Sequence, residues 1–68
     1  MSVAKNIELT STSSKSFDDA LQKGIERAAK TIDNIQGAWV KEQKVRISDG
    51  KISEYVVMMI LTFVLTDD

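Results

Sequence analysis

The chain has 68 residues, a formal net charge of −1, no histidine and no cysteine. The near-neutral charge argues against a nucleic-acid binder, which uses a broad positive field to neutralise phosphates, and the missing imidazoles and thiols remove disulfides, the usual nucleophiles and the commonest zinc ligands. A domain this small buries only about 60% of the surface that its unfolded chain exposes. We therefore expect one domain over residues 1–68 that is not an enzyme and that gains stability by oligomerisation.

We expect neither a targeting signal nor a metal site at the two ends of the chain. Residues 1–6 lack the apolar core of a signal peptide, and no apolar run reaches the roughly 20 residues that a membrane-spanning helix needs. Asp67 and Asp68 offer carboxylates to calcium, but the ion takes about six to eight oxygens, so we interpret them as a solvated tail. We expect a soluble, cytoplasmic protein with no membrane partner.

The first strand is predicted over residues 3–10, where polarity alternates. Its apolar residues Val3, Ile7 and Leu9 share one face, and polar residues occupy most of the other. Residues 11–16 are hydroxyl side chains apart from one lysine. Because such side chains compete for backbone hydrogen bonds, we expect a loop there that leads into a helix.

A single amphipathic helix of about four turns is predicted from Phe17 to residues 33–35. Its apolar positions, spaced three and four apart, are Phe17, Ala20, Leu21, Ile25, Ala28, Ala29 and Ile32. Ser16 is the expected N-cap, and Asp19 stands near the acidic position of a capping box. Gly24 lies beside the apolar stripe although glycine costs about 1 kcal/mol relative to alanine in a helix, which suggests a close backbone contact at that point.

Two further strands joined by a hairpin are predicted after the helix. The second strand is expected from about Ala38 to Ile47, with Gly37 in the preceding turn or in the strand. Residues 48–51 contain an Asp-Gly pair, which is typical of a two-residue hairpin turn. The order strand, helix, strand, strand predicts an α+β fold, a βαββ domain with one helix on one face of a three-stranded antiparallel sheet.

The third strand, predicted from Tyr55 to Leu65, is apolar on both faces. A strand with one face in water alternates in polarity, whereas here the single residue outside the apolar group is Thr62. One face can meet the helix. The other, called the second face below, consists of Val56, Met58, Ile60, Thr62 and Val64. We expect other copies of this chain to cover it in a closed homo-oligomer.

Trp39 belongs to the second face by alternation, because Ala38 and Val40 suit the helix side. A planar ligand stacked on the indole ring would explain it, and so would packing at a subunit interface. The predicted hairpin is also locally basic, with Lys41, Lys44, Arg46 and Lys51. We interpret these residues as a solvated surface or, alternatively, as contacts to a ligand phosphate.

Several short segments, taken together in this order, match one known pattern. They are residues 5–13, Ser16 and Phe17, Arg27 and Ala28, residues 31–35, Glu54 and Tyr55, and Phe63 with Leu65. On these residues the chain resembles the dodecins, small flavin-binding proteins whose βαββ subunits assemble into a hollow sphere of twelve. The resemblance implies a cytoplasmic homododecamer that stores or sequesters a flavin, riboflavin or FMN.

The resemblance also implies where a flavin would bind. In flavin-binding dodecins a tryptophan early in the second strand stacks on the flavin ring, and a glutamine in the third strand hydrogen-bonds to it. The matching positions here are Gly37 and Val56, while Trp39 stands two residues further on and on the same face. Lys44 is the nearest match to a basic residue of many bacterial members. The candidate cofactor-binding residues are therefore Trp39, Gly37, Val56 and Lys44.

Two alternatives to flavin binding stay open. Some members of the family that lack both flavin contacts have been described as calcium-binding, which makes a calcium-binding assembly one alternative. The other is a ligand-free structural or interaction assembly, in which Trp39 and the second face only pack against neighbouring subunits.

Overall fold

The computed structural model describes residues 2–65, and this part of the chain contains three strands and one helix. In chain order they are β1 (Val3–Ser13), α1 (Phe17–Ala29), β2 (Ile35–Ser48) and β3 (Lys51–Leu65). The strands form one antiparallel sheet in the order β1-β3-β2, and the helix packs on β1 and β3. The predicted α+β fold, βαββ with one helix on a three-stranded antiparallel sheet, is confirmed.

The helix begins where the capping signals placed it. The Ser16 hydroxyl accepts a hydrogen bond from the Asp19 backbone amide at 2.9 Å, which confirms Ser16 as the N-cap. Asp18 and Asp19 lie in the first turn, where negative charge complements the helix dipole. The buried Ser13 hydroxyl donates to the Asp19 carboxylate and accepts from the Lys15 amide. These bonds fasten the end of β1 to the start of α1.

β1 is longer than predicted. The loop expected over residues 11–16 is wrong for its first three residues, which continue the strand. Ser13, the last of them, pairs with Tyr55 of β3. Pairing with a long neighbouring strand satisfies the backbone groups that the hydroxyl side chains would otherwise bind.

The helix is shorter than predicted. Its last residue is Ala29, so the expected end near residues 33–35 is wrong. The Ile32 amide still donates to the Ala28 carbonyl at 2.9 Å, and Asn34 then adopts a left-handed conformation with φ of 62°. Asparagine tolerates this conformation better than most residues, and it turns the chain into β2.

The core lies between α1 and the helix side of β3. Its buried residues are Ala20, Ala28, Val57, Met59 and Leu61. Gly24 faces this core, and a Cβ atom added there would lie 2.7 Å from Met59 Cε and 3.0 Å from Ser11 Cβ. The predicted close contact at Gly24 is confirmed, because a side chain there would fit only if Met59 and Ser11 moved.

The β2–β3 hairpin has the predicted two-residue turn. Asp49 and Gly50 both have positive φ, 52° and 74°, as the hairpin turn that favours Asp-Gly requires. β1 ends opposite Tyr55, so residues 46–54 continue as a two-stranded hairpin arm beyond β1. Ile47 and Ile52 pair on this arm and are 66% and 52% exposed.

On the helix side of the sheet, β2 is largely left uncovered by α1. Ala38 and Val40 lie on the helix side as predicted, since they pair with the core residues Leu61 and Met59. Both are nevertheless exposed, Val40 by 41%, because α1 packs on β1 and β3. The radius of gyration is 14.2 Å, against about 11 Å for a compact domain of this length, so the folded chain is elongated.

The C-terminal carboxylates and the possibility of a membrane-spanning helix were also considered in the sequence. Asp67 and Asp68, interpreted above as a solvated tail, lie outside the described residues. Within residues 2–65, no helix is long and apolar enough to cross a membrane.

Candidate ligand-binding site

The strand register arranges the second face in rows, each with one residue of β3 between a residue of β1 and a residue of β2. From one end the rows are Asn6–Thr62–Gly37, Glu8–Ile60–Trp39, Thr10–Met58–Glu42 and Thr12–Val56–Lys44. Paired residues point to the same side of a sheet. The prediction that Trp39 shares the second face with Ile60 is therefore confirmed.

The β3 side chains of the second face are less exposed to solvent than the sequence suggested. Val56 is only 1% exposed, and Met58, Ile60, Thr62 and Val64 are half-buried within the single chain. The side chains of the two edge strands flank β3 and cover part of it. The expectation that other copies of the chain must cover the whole face is therefore wrong for Val56.

An ion pair between the two edge strands contributes to the cover over β3. Lys41 Nζ lies 2.9 Å from Glu8 Oε1, and because β3 separates the two edge strands, the pair spans β3. Lys41 occupies the irregular position between Val40 and Glu42, where the register shifts. The hydrogen bond to the Glu8 carboxylate, and its charge, raise the pKa of Lys41 above its usual value.

Trp39 and Gly37 together form an open aromatic site on the second face. Trp39 is 51% exposed, and no atom lies within 4 Å of a Cβ built on Gly37. Residues two apart on a strand share a face at a spacing of about 6.8 Å. A planar group placed over Gly37 can therefore lie against the Trp39 ring, so the residues present fit an aromatic ligand. We call Gly37, Trp39, Ile60 and Thr62 the Trp39 platform.

The four candidate residues fall into two pairs. Trp39 and Gly37 are neighbours on the platform, whereas Val56 and Lys44 pair with each other two rows beyond Ile60, about 13 Å along β3. Lys44 is exposed, but the Val56 side chain has almost no free surface. Any contact of Val56 with a ligand would require the side chains around it to move.

The basic residues of the hairpin differ in their partners. Lys41 pairs with Glu8, and Arg46 Nη1 lies 2.8 Å from Glu54 Oε1. Within residues 2–65, Lys44 holds no ion pair. Lys44 can therefore bind an anion beside the second face without giving up an existing ion pair.

Sequence reasoning missed a polar contact on the platform. The Thr62 hydroxyl donates to Asn6 Oδ1 at 2.7 Å, so the row that ends at Gly37 carries a hydroxyl and a carboxamide. Thr62 was visible as the one residue outside the apolar group between Tyr55 and Leu65, and Asn6 as a polar residue on the face of β1 opposite Ile7 and Leu9. What the sequence did not provide was the register that joins them.

A concavity of about 390 Å³ lies between residues 31–34 and residues 63–65. It contains none of the four candidate residues, and it is not part of the Trp39 platform. In the described part of the chain, no three acidic, histidine or cysteine side chains come together as a group that could hold a metal ion.

The fold and this face define a class of protein, a small βαββ chain that carries its helix on one side of the sheet and an exposed tryptophan on the other. A sequence model of the dodecin family matches residues 3–66. The chain therefore belongs to the dodecin family.

Solved structures agree with this assignment. A crystal structure of an arginine-to-alanine mutant of the T. thermophilus dodecin matches with a TM-score of 0.94 and 31% identity over 100% of both chains. The dodecin of Streptomyces davaonensis matches at 0.92 and 29%, over 97% of each chain. The calcium dodecin of Mycobacterium tuberculosis, a calcium-chelating antigen, matches at 0.82 and 30%, over 97% of this chain and 94% of that one. None of the curated proteins matches the chain.

Proposed function

We propose that this dodecin is a homo-oligomeric small-molecule binding and storage protein that sequesters a planar ligand, first of all a flavin, on the Trp39 platform. The observation that carries this proposal is the half-exposed Trp39 ring next to the open position at Gly37. An exposed indole face stacks on planar aromatic rings, and the neighbouring Ile60 gives the ring an apolar floor. The protein would hold and shield the ligand without catalysing a reaction.

Riboflavin and FMN are the first ligands to test, and three of the four candidate residues would hold them. Trp39 would stack on the ring, and Gly37 would leave the space for it. Lys44, about 13 Å along β3 from the platform, would attract the phosphate of FMN. Val56 pairs with Lys44 and is 1% exposed, so it would support that end of the face from within the sheet without touching the ligand.

Self-association is supported by the surface that one chain exposes. Its accessible surface is 4987 Å², about 700 Å² more than a compact monomer of this mass has. A standard interface buries about 800 Å² on each partner. The exposed apolar residues Val40, Ile47 and Ile52 are available for such contacts. A homododecamer is the assembly that the family suggests.

The test is a titration of riboflavin and FMN with purified protein, followed by flavin fluorescence. We expect quenching at micromolar protein, because a flavin stacked on an indole ring loses its emission. Trp39→Ala should abolish the quenching while light scattering shows an unchanged assembly mass, and Trp39→Phe, which keeps an aromatic face, should retain part of it. No quenching by the wild-type protein would refute flavin binding.

A ligand-free structural assembly is the second candidate. It is supported by the apolar character of the second face and by the burial of Val56, which offers a ligand no surface. In that case Trp39 packs against a neighbouring subunit. Trp39→Ala would then lower the assembly mass or the melting temperature, and flavin would have no effect on either.

Calcium binding is a further alternative, suggested by the M. tuberculosis relative, whose structure has a calcium-binding site. Since residues 2–65 bring no three acidic side chains together, calcium would need ligands from more than one copy or from outside this range. A melting temperature that rises with calcium concentration would support it.

A further inference from the structure

One row of the Trp39 platform has the polarity to recognise the edge of a ligand. It consists of the platform residues Gly37 and Thr62 together with Asn6, the partner of Thr62 on β1. At one end the Thr62 hydroxyl donates to Asn6 Oδ1 at 2.7 Å. At the other end the position above Gly37 is open. A ligand that enters at Gly37 and extends across the row therefore arrives at two polar side chains.

The hydrogen-bonding capacity of these side chains is not used up. A threonine hydroxyl has one hydrogen, which Thr62 gives to Asn6, and its lone pairs remain free to accept. The Asn6 carboxamide nitrogen has two hydrogens, and within residues 2–65 its only side-chain hydrogen bond is the one it accepts from Thr62. Thr62 thus presents an acceptor and Asn6 a donor, side by side.

The distances suit a ligand that also stacks on Trp39. Neighbouring strands are about 4.8 Å apart, so the two edge strands are separated by about 10 Å, comparable to the long axis of a fused tricyclic ring. Trp39 is the next residue on the same face after Gly37. A ring placed over Gly37 therefore lies against the indole with its far edge over Thr62 and Asn6.

We propose that Asn6 and Thr62 determine the ligand class of the platform by hydrogen-bonding to the cyclic imide edge of a planar heteroaromatic ligand. A cyclic imide presents a carbonyl next to an N–H group. The carbonyl would accept from Asn6 Nδ2, and the N–H would donate to Thr62 Oγ1. This inference rests on the proposed binding of a planar ligand at Trp39, and it adds which edge of that ligand is recognised.

The experiment compares two probes that differ only at the imide. Lumichrome has a free imide N–H and carries neither a ribityl chain nor a phosphate, and N3-methyllumichrome has this N–H blocked. Dissociation constants for both are measured by fluorescence on the wild-type protein, Thr62→Val and Thr10→Val. We expect wild-type protein to bind lumichrome about tenfold more tightly than the methylated probe, the factor that corresponds to one lost hydrogen bond.

The two threonine variants separate a specific effect from a general one. Thr62→Val keeps the side-chain shape and removes the acceptor, so the ratio of the two constants should fall to about one. Thr10→Val is the matched control, because Thr10 is an exposed threonine on the second face in the row of Met58. It should keep the wild-type ratio.

The outcomes distinguish this inference from the proposed function. Equal affinities for both probes in the wild-type protein, or an unchanged ratio in Thr62→Val, overturn edge recognition while the platform remains a binding site. If the wild-type protein binds neither probe nor flavin, both proposals fail. Should circular dichroism show that Thr62→Val does not fold, Asn6→Asp replaces it: the variant loses the carboxamide donor, and an unchanged lumichrome affinity would overturn the inference.

Discussion

Asp19 receives hydrogen bonds from both sides of the connection between β1 and α1. The Ser13 hydroxyl donates to its carboxylate, and Lys23 Nζ lies 3.1 Å from Oδ2. The pKa of the Asp19 carboxyl is held below its usual value, mainly by the hydrogen bond from Ser13 and to a lesser extent by Lys23. Because the folded pKa is the lower one, this group stabilises the fold above its unfolded pKa and loses that contribution as the pH falls through the folded pKa.

The first prediction follows from this sign. The free energy of unfolding of the wild-type protein should fall between about pH 5 and pH 2, and in Asp19→Asn it should fall less steeply over the same interval. Urea denaturation at several pH values measures both slopes. As a check on the cause, Ser13→Ala should move the Asp19 pKa back toward its usual value in an NMR titration. Identical slopes for wild type and Asp19→Asn would contradict the assignment.

Gly24 lies where the helix backbone comes close to the side chains of the sheet. Alanine there would gain about 1 kcal/mol in helix propensity, but its Cβ would meet Met59 Cε at 2.7 Å and Ser11 Cβ at 3.0 Å. Overpacking of this kind costs about 1–3 kcal/mol. We expect Gly24→Ala to lower the free energy of unfolding by about 1 kcal/mol, measured by urea denaturation.

A second substitution tests the cause of that loss. Met59→Leu shortens the side chain that makes the closest contact, so the double variant with Gly24→Ala should lose less stability than the sum of the two single variants. Additive losses, or a Gly24→Ala protein more stable than wild type, would show that the contact does not limit the approach of the helix.

At the scale of the elements, the hairpin arm of residues 46–54 extends beyond β1 and is largely exposed. A two-stranded hairpin is marginally stable in water by itself, yet this one carries Ile47 and Ile52 as an exposed pair. We expect Ile47→Lys to lower the assembly mass measured by light scattering at micromolar protein, because a charge on the arm opposes apolar contact with another copy. The circular dichroism spectrum should keep its helix and strand signal.

Ser48→Lys is the matched control for this prediction. It adds the same charge at an exposed position of the same arm, next to Ile47. Its mass should equal that of the wild type. If both lysine variants dissociate, the effect is one of charge on the arm, and if neither does, the arm makes no contact that the assembly needs.

Which element boundaries could be predicted depends on how far apart in sequence the deciding contacts are. Ser16 caps the helix through an amide three residues away, so its pattern was sufficient. The end at Ala29 was missed because Ile32 still continues the apolar spacing, while the left-handed Asn34 turns the chain. The extension of β1 to Ser13 depends on Tyr55 of β3, which no local pattern around Ser13 indicates.

The same limit applies to the candidate site of the whole molecule. Alternation was enough to place Trp39 and Gly37 on one face of β2. The burial of Val56 could not be predicted, since it depends on residues of both edge strands, including its partners Thr12 and Lys44. The contact between Asn6 and Thr62, two residues that lie 56 positions apart in the chain, likewise requires the register of β1 and β3.

The shape of the whole molecule leads to the last prediction. The chain extends 54 Å along its longest axis, with apolar side chains exposed on β2 and on the hairpin arm. If folding and association are coupled, the melting temperature must rise with protein concentration. A tenfold increase in concentration is worth about 1.4 kcal/mol per associating copy, and about 1 kcal/mol shifts the melting temperature of a domain this small by about 4–8 °C.

Thermal unfolding followed by circular dichroism over a hundredfold range of concentration tests this, with light scattering on the same samples. We expect an increase of several degrees for each tenfold step in the range where the assembly dissociates as it unfolds. Ile47→Lys should melt lower and show a weaker dependence, because it removes contacts between copies while leaving the core of Met59 and Leu61 unchanged. A melting temperature independent of concentration, together with a monomeric mass, would mean that α1 and the sheet stabilise each chain alone, and the exposed apolar surface would then need another partner.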